Sequence, residues 1–136
     1  METHVRRFII GELGRYELYR EQLAEYELQR EEMAENYPRP ELRPGRTGTV
    51  AIVDPTAQAA ARLERLEANI ARARFYVKAI DEVMSRLTER QREVIRLRFI
   101  KRYNITKVVF KTYLSESTIH RETRTALPLF AARMGL

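Results

Sequence analysis

The sequence has no cysteine and little of several other residue types that carry chemistry. Without cysteine there can be no disulfide framework, no thiolate zinc site and no cysteine nucleophile, which suits a reducing compartment. The two histidines, His4 and His120, are far apart in sequence and form no evident ligand set for a metal ion. No nucleophile stands beside a base in a catalytic pattern. We therefore expect neither an enzyme nor a bound cofactor or metal.

Long apolar runs are also missing. The first residues, METHVRRFII, contain a short apolar cluster, but GELGRYELYREQ follows, which is too charged for a secretory signal or a membrane span. The 136 residues leave room for one domain, or for a small module with a helical extension. We expect a soluble, cytoplasmic protein without a membrane partner.

Acidic residues are scarce in the last third of the chain. Residues 86–136 carry 12 basic and 4 acidic side chains, a net charge of +8, whereas residues 1–36 carry 5 basic and 9 acidic ones. Clustered Arg and Lys are what phosphate contacts need, so this segment has the charge of a nucleic-acid module. Composition alone is equally compatible with a solvated basic surface.

Proline and glycine are scarce outside one segment. Residues 37–55 hold four of the five prolines and two of the five glycines, which predicts a linker, partly ordered against the helices. Residues 3–35 lack proline and are rich in Glu, Leu, Arg and Gln, which predicts a helix. Its apolar face has gaps at Glu12 and Arg30 and consists of Val5, Ile9, Tyr16, Tyr19, Leu23, Tyr26 and Met33.

A second helix is predicted to begin at Pro55 or Thr56, since proline suits the first helical position. Its apolar residues alternate spacings of three and four, a heptad pattern formed by Leu63, Leu66, Ile70, Ala73, Val77, Ile80, Met84 and Leu87. The two stripes predict a long antiparallel helical hairpin, coiled-coil-like, over residues 1–87. The same stripes could pair between two chains, so a homodimer is an alternative.

The pattern changes after Leu87. Thr88 and Gln91 form a capping-box pattern, so a new helix is predicted over residues 89–100, with Val94, Ile95 and either Leu97 or Phe99 inward. Four arginines point elsewhere in this prediction, and a solvated surface or a second contact with DNA or RNA polymerase would both explain them. They are Arg90, Arg92, Arg96 and Arg98.

Two more helices are predicted in the basic segment. The first spans residues 106–112 and ends in a turn at residues 113–115, after which Ser117 is expected to cap the last helix. One face of that last helix is apolar or small, with Ile119, Thr123, Ala126 and Leu127. Pro128 is expected to end it near Leu127, so that Leu129 or Phe130 packs back onto the core.

Two helices joined by a tight turn, with a basic outer face on the second, are what reading a DNA major groove requires. Arg can bridge two acceptors of guanine, Thr can touch a thymine methyl group, and Lys can hold phosphates. The predicted DNA-binding residues are Ser115, Ser117, Thr118, His120, Arg121, Arg124, Lys107 and Lys111. The predicted fold is therefore all-α, with a helical hairpin (1–87) and a helix-turn-helix domain (88–136).

The segments LTERQREVIRLRF and YLSESTIHRETRTAL resemble region 4 of sigma factors. Leu114, Ser115, Thr118 and Ile119 match that motif in order, whereas Tyr113 stands where the motif has glycine and must adopt a left-handed backbone or open the turn. Together with RRFIIGELGRYELYREQL, the Pro/Gly linker ending near DPTAQAA and the heptad helix, they resemble RinA-type phage transcriptional activators. This resemblance implies activation of phage late or packaging genes.

The first hypothesis is thus a sequence-specific transcriptional regulator, a phage or prophage late-gene activator that binds double-stranded DNA and acts with RNA polymerase at promoters. It would work in the bacterial cytoplasm, associated with the nucleoid. Two alternatives stay open. One is a DNA-packaging subunit similar to small terminases, and the other is a helical adaptor that binds protein and no DNA.

Overall fold

A computed structural model describes residues 1–35 and 55–136 of the chain. In these two stretches every regular element is helical, so the fold is all-α, as predicted. The elements are α1 (Thr3–Gly14), α2 (Tyr16–Glu35), α3 (Pro55–Arg86), α4 (Glu89–Ile95) with a π-helical continuation (Arg96–Ile100), α5 (Ile105–Thr112) and α6 (Glu116–Arg133). The linker predicted at 37–55 lies outside the described residues up to residue 54, and Pro55 begins α3.

The first predicted helix is two helices with a bend at Arg15, which corrects the single helix expected over residues 3–35. The Arg15 amide donates to the Glu12 carbonyl, three residues back, at 3.1 Å. Gly14 gives room at the bend, because a Cβ placed there would come within 2.7 Å of Nε of Arg102. The Glu12 carboxylate is fully buried and accepts a hydrogen bond from Nη1 of Arg15 at 2.7 Å.

Helices α2 and α3 pack side by side and antiparallel. Side chains early in α2 meet those late in α3, as in the hydrogen bond from the Tyr16 hydroxyl to Asp81. Later in α2, Glu27 pairs with Arg74 at 2.6 Å and Arg30 with Glu67 at 3.4 Å. The rings of Tyr19 and Tyr76 stack between them, with centroids 5.6 Å apart. The ion pairs are exposed and each contributes about 0–1 kcal/mol, so apolar packing holds the pair together.

Five of the eight residues of the predicted α3 stripe are buried and three (Leu63, Val77 and Met84) are half-buried, while two residues outside the stripe are buried as well. The buried side chains are Leu66, Ile70, Ala73, Ala79, Ile80, Val83 and, just after the helix, Leu87. Ala79 and Val83 are buried in addition to the stripe, because the end of α3 is covered by α6 as well as by the N-terminal helices. A helix covered from two sides needs a wider apolar face than a heptad seam provides.

The capping box at the start of α4 is present as predicted, with Thr88 Oγ1 accepting from the Gln91 amide at 3.2 Å. The helix widens into a π-helical turn, where the Lys101 amide donates to the Arg96 carbonyl at 2.8 Å. Arg92 donates to the carbonyls of Met84 and Leu87 at 2.9 and 3.1 Å, so it caps the end of α3. Of the four arginines predicted to point outward, Arg92 therefore has a structural role.

The largest core cluster joins α1, α3, α4, the π-helical turn and α6. Its members are Ile9, Leu13, Ile80, Val83, Leu87, Ile95, Phe99, Ala126, Leu127, Phe130 and Ala131. Large side chains fully buried in this way contribute about 1.5–3 kcal/mol each before conformational entropy is subtracted. The cluster fixes α6 against α1 and α3. It contains residues from both sides of residue 87, and the division into 1–87 and 88–136 stays a prediction.

The last helix does not end at Leu127, which corrects the expectation from Pro128. It continues through the proline to Arg133. A proline inside a helix costs about 3 kcal/mol, but burial of the large Phe130 side chain offsets much of that cost. Phe130 is fully buried, whereas Leu129 is exposed. Nε of Arg133 also binds Oε2 of Glu82 on α3 at 2.6 Å, which holds the final turn in place.

Candidate nucleic-acid interface

A tight turn joins α5 to α6. Asn104 caps α5 by accepting from the Lys107 amide at 2.9 Å, so this helix begins at Ile105. At its other end Tyr113 has a φ of 59° and donates its amide to the Val109 carbonyl at 2.9 Å. Of the two outcomes expected for a non-glycine residue here, a left-handed backbone or an opened turn, Tyr113 adopts the left-handed backbone.

Ser115 caps α6, which corrects the expectation that Ser117 does so. Oγ of Ser115 accepts from the Thr118 amide at 3.2 Å and lies 2.8 Å from the Thr118 hydroxyl. Either serine hydroxyl can accept a hydrogen bond from a backbone amide two or three residues later, so sequence alone does not choose between them. The chain leaves the left-handed Tyr113 and reaches an extended backbone at Ser115, so α6 can begin at Glu116. Ser117 is thereby placed inside the first turn, exposed and free of a capping role.

A small core beneath the turn holds the two helices together. Val94, Val108 and Ile119 are fully buried against one another, and Leu97, Tyr103, Ile105, Val109 and Leu114 pack around them. The rest of the inward face of α6 is the one predicted from sequence, since Thr123, Ala126 and Leu127 are buried. This packing determines which face of α6 is left outside.

The outer face of α6 carries Ser117, Arg121 and Arg124, at spacings of four and three residues. All three are exposed. Across residues 1–35 and 55–136, no carboxylate forms an ion pair with either arginine. Two unneutralised guanidinium groups on one helical face can donate to acceptors on guanine or on phosphate.

The side chain of Arg98, from the π-helical turn, contacts α6. Its Nη1 donates to Oγ1 of Thr123 at 3.1 Å and lies 3.4 Å from Nδ1 of His120. Thr123 in turn donates to the Ile119 carbonyl at 2.8 Å. Burial, and after it the nearby charge of Arg6, lowers the pKa of Arg98, while Glu116 opposes the shift. The π-helical turn is thus tied to the middle of α6.

His120 and Thr118 have partners within the chain. Nε2 of His120 lies 3.5 Å from Oε1 of Glu116, so both of its ring nitrogens have neighbours. Thr118 is half-buried and hydrogen-bonded to Ser115. Among the predicted site residues of α6, these two are consequently less available to a ligand than Ser117, Arg121 and Arg124.

Lys107 and Lys111 lie together on α5. Their ammonium groups sit 3.9 and 5.5 Å from the centroid of the Tyr103 ring. A cation over an aromatic face is stabilised by the ring quadrupole, by about 0.5–1 kcal/mol at an exposed site. Tyr103 therefore orients both lysines on the exposed side of α5, and both side chains remain exposed.

Two features beside α6 are not among those predicted from the sequence. Phe110 and Tyr113, which are 76% and 93% exposed, line an open apolar pocket with Val109, Leu114 and Ser115. On the other side, Arg6 of α1 lines a cavity of about 320 Å³ together with Arg124. No local signal places Arg6 there, because its position relative to Arg124 depends on how α1 docks onto α6.

Neither a metal site nor a membrane span is evident in the described parts of the chain. No three His, Asp or Glu side chains of residues 1–35 and 55–136 cluster as metal ligands. None of the described helices is long and apolar enough to cross a membrane. Comparisons with models of protein families, with curated proteins and with solved structures find no match.

Proposed function

We propose that the chain is a sequence-specific DNA-binding transcriptional regulator in which α5 and α6 form a helix-turn-helix. In this proposal α6 enters the major groove, Arg121 and Arg124 contact bases or phosphates, and Lys107 and Lys111 hold the DNA backbone. The proposal is supported above all by the outer face of α6, where Arg121 and Arg124 are exposed and have no acidic partner among residues 1–35 and 55–136. The net charge of +8 over residues 86–136 adds to it.

The resemblance to sigma region 4 and to RinA-type proteins makes the proposal more specific. It points to a phage or prophage late-gene activator that works with RNA polymerase at promoters. Such an activator needs a second surface for the polymerase, besides the one that meets DNA. A homodimer would suit a two-fold operator, in which each α6 reads one half-site.

The test is a titration of the full chain against late-operon promoter fragments and unrelated duplexes, at two salt concentrations. Arg121→Ala or Arg124→Ala should weaken binding to the preferred fragment by about 1–3 kcal/mol. Arg62→Ala is the matched control, because Arg62 is an exposed arginine on α3 and its loss changes the net charge by the same amount. Unchanged binding in both α6 variants would remove α6 as the reading helix.

Two other outcomes would favour other functions. Equal, weak binding to every fragment, together with a large closed ring in light scattering, would favour a packaging subunit similar to small terminases. No salt-dependent DNA binding at all would favour a helical protein adaptor, since contacts with phosphates always weaken as salt rises.

A further inference from the structure

Two arginines from opposite ends of the sequence line the same cavity. Arg6 on α1 and Arg124 on α6 line it together with Met1, Leu127 and Pro128. The position of Arg6 does not depend on a flexible tail, because Ile9 of the same helix is fully buried in the main core. The half-buried Arg6 of α1 therefore lies beside Arg124 of α6, at the cavity that both residues line.

The two charged side chains that line this cavity, those of Arg6 and Arg124, are both positive. Arg6 acts on Arg98 as a repelling positive charge and lines the cavity together with Arg124, so it lies near arginines of both the π-helical turn and α6. Within residues 1–35 and 55–136, neither Arg6 nor Arg124 forms an ion pair with a carboxylate. Glu2, the acidic residue nearest in sequence to Arg6, lies 3.2 Å from Nε2 of His4. Converging like charges are unfavourable unless an anion joins them.

We propose that Arg6 and Arg124 together bind a backbone phosphate of duplex DNA, so that α1 is part of the DNA interface. This inference rests on the function proposed above and refines it. Guanidinium groups bind phosphate oxygens with paired, charge-assisted hydrogen bonds, and two of them can hold one phosphate from two sides. Arg6 and Arg124 lie at the edge of α6, which is where the DNA backbone would run if α6 entered the major groove. Arg121, farther towards the N-terminus of α6, is left to read bases.

Loss of a phosphate contact and loss of a base contact change DNA affinity in different ways. Arg6→Gln should weaken binding about tenfold on the preferred fragment and on an unrelated duplex alike, since a phosphate contact carries no sequence information. It should also lower the slope of log affinity against log salt by about 1. Arg121→Ala should instead weaken mainly the preferred fragment.

The experiment compares wild type, Arg6→Gln, Arg6→Lys and Arg7→Gln by fluorescence titration of both duplexes at several salt concentrations. Arg7 is the matched control, because it is the next residue of α1, carries the same charge, is exposed where Arg6 is half-buried, and does not line the cavity. Arg6→Lys keeps the charge and should retain most of the salt slope. Thermal unfolding of each variant establishes that the fold is intact.

The outcomes separate this inference from the function it rests on. If Arg121→Ala loses selectivity while Arg6→Gln binds like wild type, or if Arg7→Gln loses as much as Arg6→Gln, the shared phosphate site is wrong and the proposed function stands. If wild type binds no duplex, both are wrong. Stabilisation of wild type but not of Arg6→Gln by inorganic phosphate, with no effect of Arg6 on DNA affinity, would assign the cavity to a free anion and overturn the DNA contact.

Discussion

Tyr19 donates its hydroxyl hydrogen to Oε2 of Glu12 at 2.6 Å, across the bend between α1 and α2. The other carboxylate oxygen of Glu12 accepts from Arg15 at 2.7 Å, and the Glu12 side chain is fully buried. The bend is thus closed around a buried acidic group that has two partners. Because an unsatisfied buried carboxylate is costly, the fold depends on both donors.

Tyr19→Phe removes one of these donors without changing the shape of the ring. The free energy of unfolding should fall by about 1.5–3 kcal/mol, the usual worth of a hydrogen bond to a charged group. Denaturant titration followed by circular dichroism measures the change. Tyr26→Phe is the control, since Tyr26 belongs to the same predicted face of the helix and its hydroxyl has no hydrogen-bond partner among the described residues. An equal loss in both variants would contradict the special role of Glu12.

The stability of the protein should decline at high pH through two tyrosines. Burial, followed by the bond to Asp81, raises the pKa of Tyr16 from 10.0 to about 12, and burial, followed by the bond to Glu12, raises that of Tyr19. The folded chain therefore holds these protons after the unfolded chain has released them. The contribution of Tyr16 is complete below pH 10.0 and is lost as pH rises to about 12, and Tyr19 changes stability in the same direction.

The check is a comparison of Tyr16→Phe with wild type by denaturant titration at about pH 9 and about pH 11. Phenylalanine does not ionise, so the variant should lose less stability between the two pH values than wild type does. Comparing the two losses cancels the titration of lysines and of the other tyrosines. The raised pKa of Tyr16 would be refuted by losses of equal size.

Ser115 and Ser117 are a matched pair for testing which residue begins α6. Ser115→Ala should lower the free energy of unfolding by about 1 kcal/mol, because the Thr118 amide loses its acceptor. Ser117→Ala should change it by less than about 0.5 kcal/mol, since an exposed serine in the first turn has no cap to lose. Thermal unfolding of both variants measures the difference. A larger loss of stability for Ser117→Ala than for Ser115→Ala would show that Ser117 caps α6, as the sequence predicted.

Tyr113 occupies a left-handed backbone although its side chain is 93% exposed. The ring thus contributes little burial to offset a conformation that costs a non-glycine residue about 1–2 kcal/mol. Tyr113→Gly should raise the free energy of unfolding by about 0.5–1 kcal/mol, after the higher entropy of glycine in the unfolded chain is counted. Tyr113→Val should lower it, because β-branched residues tolerate positive φ least. A stabilised valine variant would contradict this geometry.

Local sequence signals predicted the helices well where each signal acts within a few residues. The capping box at Thr88, the start of α3 at Pro55 and the inward face of α6 are all confirmed. The errors come from distant contacts. Nothing near Glu12 shows that Tyr19 and Arg15 will surround it, or that Arg102 will lie against Gly14, so the bend at Arg15 was missed. Likewise, Pro128 stays helical because Phe130 is anchored by residues of α1 and α3.

The candidate site was predictable to a similar extent. The exposure of Arg121 and Arg124 follows from the three-and-four spacing of the buried residues on the opposite face. The cap was misplaced by two residues because Ser115 and Ser117 have the same capping chemistry, and only the backbone at Tyr113 decides between them. Arg6 could not be found, since only tertiary packing brings it to the cavity that Arg124 also lines. The role of these residues in binding DNA stays a prediction.

The core that joins Ile9 to Phe130 also affects how quickly the protein can fold. Individual helices form within about a microsecond, whereas this contact closes a loop over nearly the whole chain, and the entropy cost of closure grows with loop length. During synthesis α1 and α3 leave the ribosome before α6 does, so their apolar faces stay exposed until α6 can pack against them. Folding should therefore be slower than the helix content alone indicates, and the docking of α6 should determine its rate.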